Sequence, residues 1–251
     1  MTRNPSTRHV AVVGGTGGIG RAIALRFAQE GDTVHVLGRN LAKAQEAASV
    51  IAHATGARVL AAECHLDDPA SVEHAIKALP KFEVLVNAAG SIPRMSLLDT
   101  TPAHWRGAWS DKVLGAVETT RLACERMRVD GGGVVINIIG TAGMRPNPKT
   151  IMTSTANAML IAFTQALGAQ AVDWNVRVVG INPGLTATPR TEGLAAGSGG
   201  DAYKAMLRDM PFGRMGKAAE IADCAWFLAS TQASYISGTV IDVDAGARCR
   251  V

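Results

Sequence analysis

The chain has 251 residues, 47% hydrophobic and 18% charged, with a formal net charge of +4 and a pI of about 9.0. That length suits one α/β domain with a sizeable core, and the composition is ordinary for a soluble globular protein. Lysines and arginines are dispersed, with no run that would track a phosphate backbone, which argues against nucleic-acid binding. No apolar run approaches the roughly 18 residues of a bilayer span, and the polar stretch 1–8 lacks the apolar core of a signal peptide, so a cytoplasmic protein with no membrane partner is expected. Cys64, Cys124, Cys224 and Cys249 fit no metal-ligand spacing and read as reduced thiols, with no metal site.

In chain order, Val10, Ala11, Val12 and Val13 predict a short apolar strand. Gly14-Gly15-Thr16-Gly17-Gly18-Ile19-Gly20 follows as a turn, and residues 18–30 predict a helix with Ile19, Ile23, Phe27 and Ala28 at its apolar positions, stopped by Gly31. Glycines at 14, 18 and 20 have a physical use between a strand and a helix. They allow a tight turn, close approach of backbone to a diphosphate, and close packing of the helix on its strand. The free N–H groups of that helix and its dipole favour negative charge. The segment therefore reads as a dinucleotide cradle, with an ordinary flexible turn as the plain alternative.

Residues 33–37 predict a second strand, 41–53 a polar, alanine-rich helix and 57–62 a third strand. Asp68 before Pro69 signals an N-cap for a helix to about residue 79. A fourth strand at 82–86 runs into Asn87-Ala88-Ala89-Gly90. Thr101-Pro102 repeats the cap signal and opens one long helix to about residue 128. Then come a fifth strand at 133–139, a second long helix at 150–172, a sixth strand at 175–181 and an irregular glycine-rich segment at 182–210. A helix at 217–230 and a last strand at 238–243 close the chain. Several strands are continuous apolar runs, as expected when both faces of a parallel sheet are covered. The pattern predicts a doubly wound α/β sheet in a single domain over residues 1–251, with a lid at about 185–212 whose soft point is Gly197-Ser198-Gly199-Gly200.

Charge after the second strand separates two nicotinamide cofactors. A ribose 2′-hydroxyl wants a carboxylate there, a 2′-phosphate a cation. This chain has Gly38-Arg39-Asn40 and no acid. Arg39 suits a phosphate fork, so NADP(H) is expected over NAD(H), although a solvated surface arginine is the plain alternative.

The glycine turn, Asn87-Ala88-Ala89-Gly90, Asn182-Pro183-Gly184 with Thr186 and Thr188, and Pro211-Phe212-Gly213-Arg214-Met215-Gly216 with Glu220 together resemble the short-chain dehydrogenase/reductase family, from about residue 9 to 246. The resemblance implies a Rossmann-type sheet of seven parallel strands, and a homodimer or homotetramer built on the two long helices. Carried over residue by residue, it implies cofactor contacts from Gly14, Thr16, Gly18, Ile19 and Gly20 in the turn, from Arg39 and Asn40, and from Leu66. It implies others from Asn87, Ala88 and Gly90, and from Pro183, Gly184, Thr186 and Thr188. Two departures touch the cofactor site: Val13 stands where a threonine is usual, and His65, beside Leu66, where an adenine-contacting aspartate is usual.

The family's serine, tyrosine, lysine and asparagine fall on Gly140, Thr153, Asn157 and Lys112, and all four differ. A tyrosine tuned by a neighbouring lysine supplies a proton to a nascent oxyanion; a threonine hydroxyl is too weak an acid to replace it. Lys112 is the best substitute donor, against a surface lysine. Thr141 and Thr153 offer neutral hydrogen bonds, against packing or helix-start roles. Asn157 can bond a ribose hydroxyl without bringing charge. Tyr203 in the lid is a weaker candidate acid, and Tyr235 reads as structural. His104 reads as a capping neighbour, and Trp105 with Trp109 as a packed or interface stripe. By position, Ser91, Ile92, Met144, Arg145, Thr150, Leu185, Tyr203 and Met206 are pocket candidates.

Two functions remain open from sequence. One is an NADP(H)-dependent oxidoreductase acting on a small-molecule carbonyl or secondary alcohol through a non-standard proton donor. The other is a cofactor-binding sensor or partner subunit without turnover.

Overall fold

The computed structural model describes residues 8–196, 204–205, 207–208 and 210–250. The apolar run at residues 10–13 folds as the centre of the sheet, because all four of its side chains are buried and both neighbouring strands pair with it. The strands are β1 (His9–Val13), β2 (Thr33–Gly38), β3 (Val59–Glu63), β4 (Val84–Asn87), β5 (Gly133–Ile138), β6 (Val176–Pro183), β7 (Thr186–Ala187), β8 (Gly216–Lys217) and β9 (Val240–Val243). Seven of them form one sheet in the order β3-β2-β1-β4-β5-β6-β9, and the short β7 and β8 pair apart from it. Every pairing is parallel.

The helices are α1 (Gly18–Gln29), α2 (Leu41–Thr55), α3 (Pro69–Ala78), α4 (Pro102–Trp109), α5 (Gly115–Asp130), α6 (Ile151–Gln170), α7 (Pro189–Ala196) and α8 (Ala218–Leu228). Successive strand side chains point to opposite faces of a sheet, so each strand feeds two cores. Val10, Val12, Val34, Val36 and Ile136 meet Ile23 and Phe27 of α1 and Ile221 and Leu228 of α8. Ala11, Val13, Leu37, Leu85 and Val135 meet Val72 and Ile76 of α3 and Leu122 and Met127 of α5. At about 1.5–3 kcal/mol for each fully buried Val, Leu, Ile or Phe side chain, these two layers fix which face each helix covers. No helix among the described residues is long and apolar enough to cross a membrane.

Three expectations need correction. The helix expected from residue 101 to about 128 is interrupted by a wider π turn, Ser110–Leu114, and runs on to Asp130. The segment 182–210 is not wholly irregular: β6 extends to Pro183, and β7 and α7 follow. The soft point at 197–200 lies outside the described residues. The helix expected at 150–172 ends at Gln170, in a 3-10 turn over Ala171–Trp174.

The capping signals hold. Asp68 accepts from the Ala70 N–H and Thr101 forms a reciprocal box with His104, while Asn40, expected at the cofactor, accepts from the Lys43 N–H and caps α2. The order in which strands are added reverses at β1 and β4, which are neighbours in space but not in sequence. In such sheets the crevice beyond the carboxyl ends of those strands is where a ligand is received.

Candidate active site

The turn after β1 is shaped by contacts only glycine allows. Gly14 has φ +82°, and a Cβ there would stand 2.7 Å from the Ala89 backbone nitrogen. A Cβ on Gly20 would stand 2.2 Å from the Gly14 carbonyl oxygen. Nothing lies within 4 Å of where a Gly17 Cβ would be. Gly17 is the N-cap of α1 without a side-chain cap, and no acid occupies the first turn. The leading N–H groups of α1 are thus left for an anionic ligand.

Two clefts meet at this turn, sharing Gly17, Ala88, Gly90 and Ser91. One, of about 410 Å³, takes in Gly14, Thr16, Arg39, Leu66, Asp67 and Asp111. Arg39 stands at its rim, its side chain 73% exposed, 3.8 Å from the Asp111 carboxylate. Asp67 lines this wall in place of His65, which pairs with Glu63 at 3.3 Å. The acid is two residues downstream of the position at which sequence reasoning looked for it. Asp111 was missed because it arrives from the π turn, far along the chain.

The other cleft, of about 760 Å³, is bounded by Ile19, Pro183, Gly184, Thr188 and Arg190 and contains Lys112, Thr141, Thr153 and Asn157. At its floor three side chains clamp the chain leaving β5. Lys112 donates to the Ile139 carbonyl at 3.1 Å. Asn182 accepts the Gly140 N–H at 3.2 Å, and is held by Asp242 at 2.9 Å, which Arg248 pairs in turn. Asn157 Nδ2 donates to the Gly140 carbonyl at 3.1 Å. Gly140 takes φ +124° within this clamp. The Asn157 Oδ1, in a residue 2% exposed, accepts no hydrogen bond.

The π turn turns Lys112 inward, and Gly90 makes room for it: a Cβ on Gly90 would stand 2.7 Å from the Lys112 Cβ. The surface alternative for Lys112 is thereby excluded. Burial, with the Arg190 guanidinium acting in the same direction, pushes its amine down to about 8. One bond to a carbonyl leaves two further donors on a protonated amine. Arg190 of α7 reaches over the cleft to the Ser91 hydroxyl and the Ile92 carbonyl.

A family model described as enoyl-(acyl carrier protein) reductase matches residues 14–248. The chain belongs to the short-chain dehydrogenase/reductase family. Within that family it is 32% identical over 240 residues to a 3-oxoacyl-[acyl-carrier-protein] reductase of Chlamydia muridarum, covering 94% of this chain and 95% of the relative. L-sorbose reductase from Gluconobacter frateurii, solved with NADPH and L-sorbose, superposes with a TM-score of 0.91 at 28% identity, covering 98% of each chain. A 7α-hydroxysteroid dehydrogenase solved with NADH superposes at 0.87, also 28% identical, covering 95% of this chain and 93% of that one.

Not every site residue expected from the family faces the trough. The Asn87 side chain is spent inside the core, donating to Asn137 and Thr120 at 3.0 Å and accepting from Thr119, so only its backbone is left for a ligand. Thr186 is buried and donates to the Gly184 carbonyl. Asn40 caps α2 instead of entering the cleft. Gly20 serves the packing of α1 on the turn. Of the pocket candidates, Ser91 and Leu185 line the larger cleft, and the buried Ile92 offers only its carbonyl. Met144 and Thr150 are not among its lining, and Arg145 donates to the Ala247 carbonyl at the surface. Tyr203 and Met206 lie outside the described residues. Tyr235 is fully exposed. Trp105 and Trp109 pack edge to face at 5.6 Å against the cluster that includes Met152.

Proposed function

We propose that this protein is an NADP(H)-dependent oxidoreductase that interconverts a carbonyl and a secondary alcohol, with Lys112 as proton donor. The observation that carries the reading is a single trough running from the uncapped amino end of α1 to a buried amine. The open space beside Gly17 fits a diphosphate held by the turn N–H groups, with Thr16 and Thr188 beside them. Arg39 would take a 2′-phosphate. Asn157, which lines the cleft, holds the Gly140 carbonyl through Nδ2 and keeps its Oδ1 buried. The bound dinucleotide supplies or accepts hydride.

The chain's own residues supply the rest. In reduction, the carbonyl π bond breaks as the carbon gains hydrogen with its electron pair, and the oxygen takes a proton from the Lys112 ammonium, which solvent replaces. The free donors of Lys112 also stabilise the negative oxygen, an effect strongest where water is excluded.

The test is calorimetric titration of the purified chain with NADPH and with NADH, followed by NADPH oxidation on a panel of ketones. Binding with a preference for NADPH, and turnover on at least one ketone, is the expected result. Tight NADPH binding with no turnover on any carbonyl would instead make it a cofactor-binding protein. A preference for NADH would overturn the role of Arg39.

A further inference from the structure

The larger cleft has a charge inventory that the reaction alone does not require. Its described lining holds two cationic side chains, Lys112 and Arg190, and no Asp or Glu. Neither cation has an anionic partner among the described residues. Lys112 bonds to the Ile139 carbonyl, and Arg190 to the Ser91 hydroxyl and Ile92 carbonyl. The acids near the trough, Asp67 and Asp111, stand at its other end, Asp111 beside Arg39. A buried ammonium without a counter-ion is costly, and a second cation close enough to act on it raises that cost. An anionic group on the ligand offsets both. A guanidinium also presents a planar fork suited to a carboxylate.

We infer that the substrate is an oxo acid or the corresponding hydroxy acid, its carboxylate held by Arg190 while Lys112 faces the oxygen. Acid and ketone are placed in one ligand because both cations line the same cleft. This inference rests on the oxidoreductase reading, and its test separates the two.

The probe pair is acetoacetate and its methyl ester, which share the reacting ketone and differ in charge. Both are titrated calorimetrically into the full chain saturated with NADP+, where no reduction occurs. Acetoacetate is expected to bind about tenfold or more tightly, the scale of a charge-assisted hydrogen bond lost. That preference should vanish in Arg190→Gln and partly return in Arg190→Lys, with melting temperatures confirming that both variants fold. Equal binding of acid and ester overturns the inference. So does an Arg190→Gln variant that loses NADP+ affinity while keeping the preference, since Arg190 then serves the cofactor. Preferential acid binding without NADPH oxidation by either compound supports the anion site, and the oxidoreductase reading then fails if the ketone panel gives no turnover either. Equal reduction of both does the reverse.

Discussion

Lys112 carries most of the proposed chemistry, and its variants give the sharpest outcomes. Lys112→Met should lower kcat for carbonyl reduction by about 10²-fold or more, the usual worth of a general acid, while the NADPH Kd moves little. Stopped-flow NADPH oxidation with parallel calorimetry checks both halves. With the ammonium as the proposed donor and burial pushing the amine down to about 8, the reduction rate should be high below that pH and fall as pH rises through it. Restoring the family's serine by Gly140→Ser should not help. The position sits at φ +124°, and a Cβ would stand 3.0 Å from Asn157 Nδ2, so a lower melting temperature and no gain in rate are expected. Sequence reasoning reached Lys112 by position but could not tell buried from exposed. That distinction depends on the absence of a Gly90 side chain and on the inward turn of residues 110–114. The clamp of Asn182, Asp242 and Arg248 on Gly140 was not visible either, because its members are joined only through β6 and β9.

At the level of elements, two glycines three residues apart in the same turn should answer differently to one methyl group. Gly20→Ala places a Cβ 2.2 Å from a backbone oxygen, so the turn must rearrange, and both the melting temperature and NADPH affinity should fall. Gly17→Ala meets nothing within 4 Å and has an extended φ of −164°, so folding should be untouched. If a diphosphate lies against that backbone, NADPH affinity alone should drop, and thermal melts with and without NADPH separate the two cases. The alternation of strands and helices was readable because parallel strands covered on both faces leave continuous apolar runs, and because Asp68-Pro69 and Thr101-Pro102 mark helix starts. The π turn was not, since α-helix flanks it on both sides and the apolar spacing scarcely changes across it. β7 and α7 were hidden by a segment rich in glycine and threonine.

Across the whole molecule, the parallel direction of the seven strands puts their exits at one edge of the sheet, and the change of strand order between β1 and β4 opens a crevice there. The same sheet carries a pH liability. His35 of β2 is buried against His9 at 3.0 Å, and burial, aided by His9 and Arg58, holds its pKa down to about 4. An unfolded histidine titrates near 6.5, so between those values the unfolded chain binds more protons than the folded one. Stability should be complete above about pH 6.5 and decline as pH falls towards 4. Urea unfolding at pH 7.5 and 5 should show that loss, and His35→Val should flatten it. Val117, Arg121, Glu125 and Arg128 of α5 and Phe163 and Leu167 of α6 line a groove of about 350 Å³. The family resemblance implies that these two helices build the contact between copies of the chain. Leu167→Glu should then shift the mass measured by light scattering towards a monomer, and an unchanged mass would remove α6 from that role.

The π turn has one more consequence. It is a wider coil set between α4 and α5, and it is what carries Lys112 to the floor of the trough. Shortening the chain by Asp111 should therefore leave a sound, even straighter rod that swings its lysine off the floor of the trough, a protein that folds well and has lost its acid.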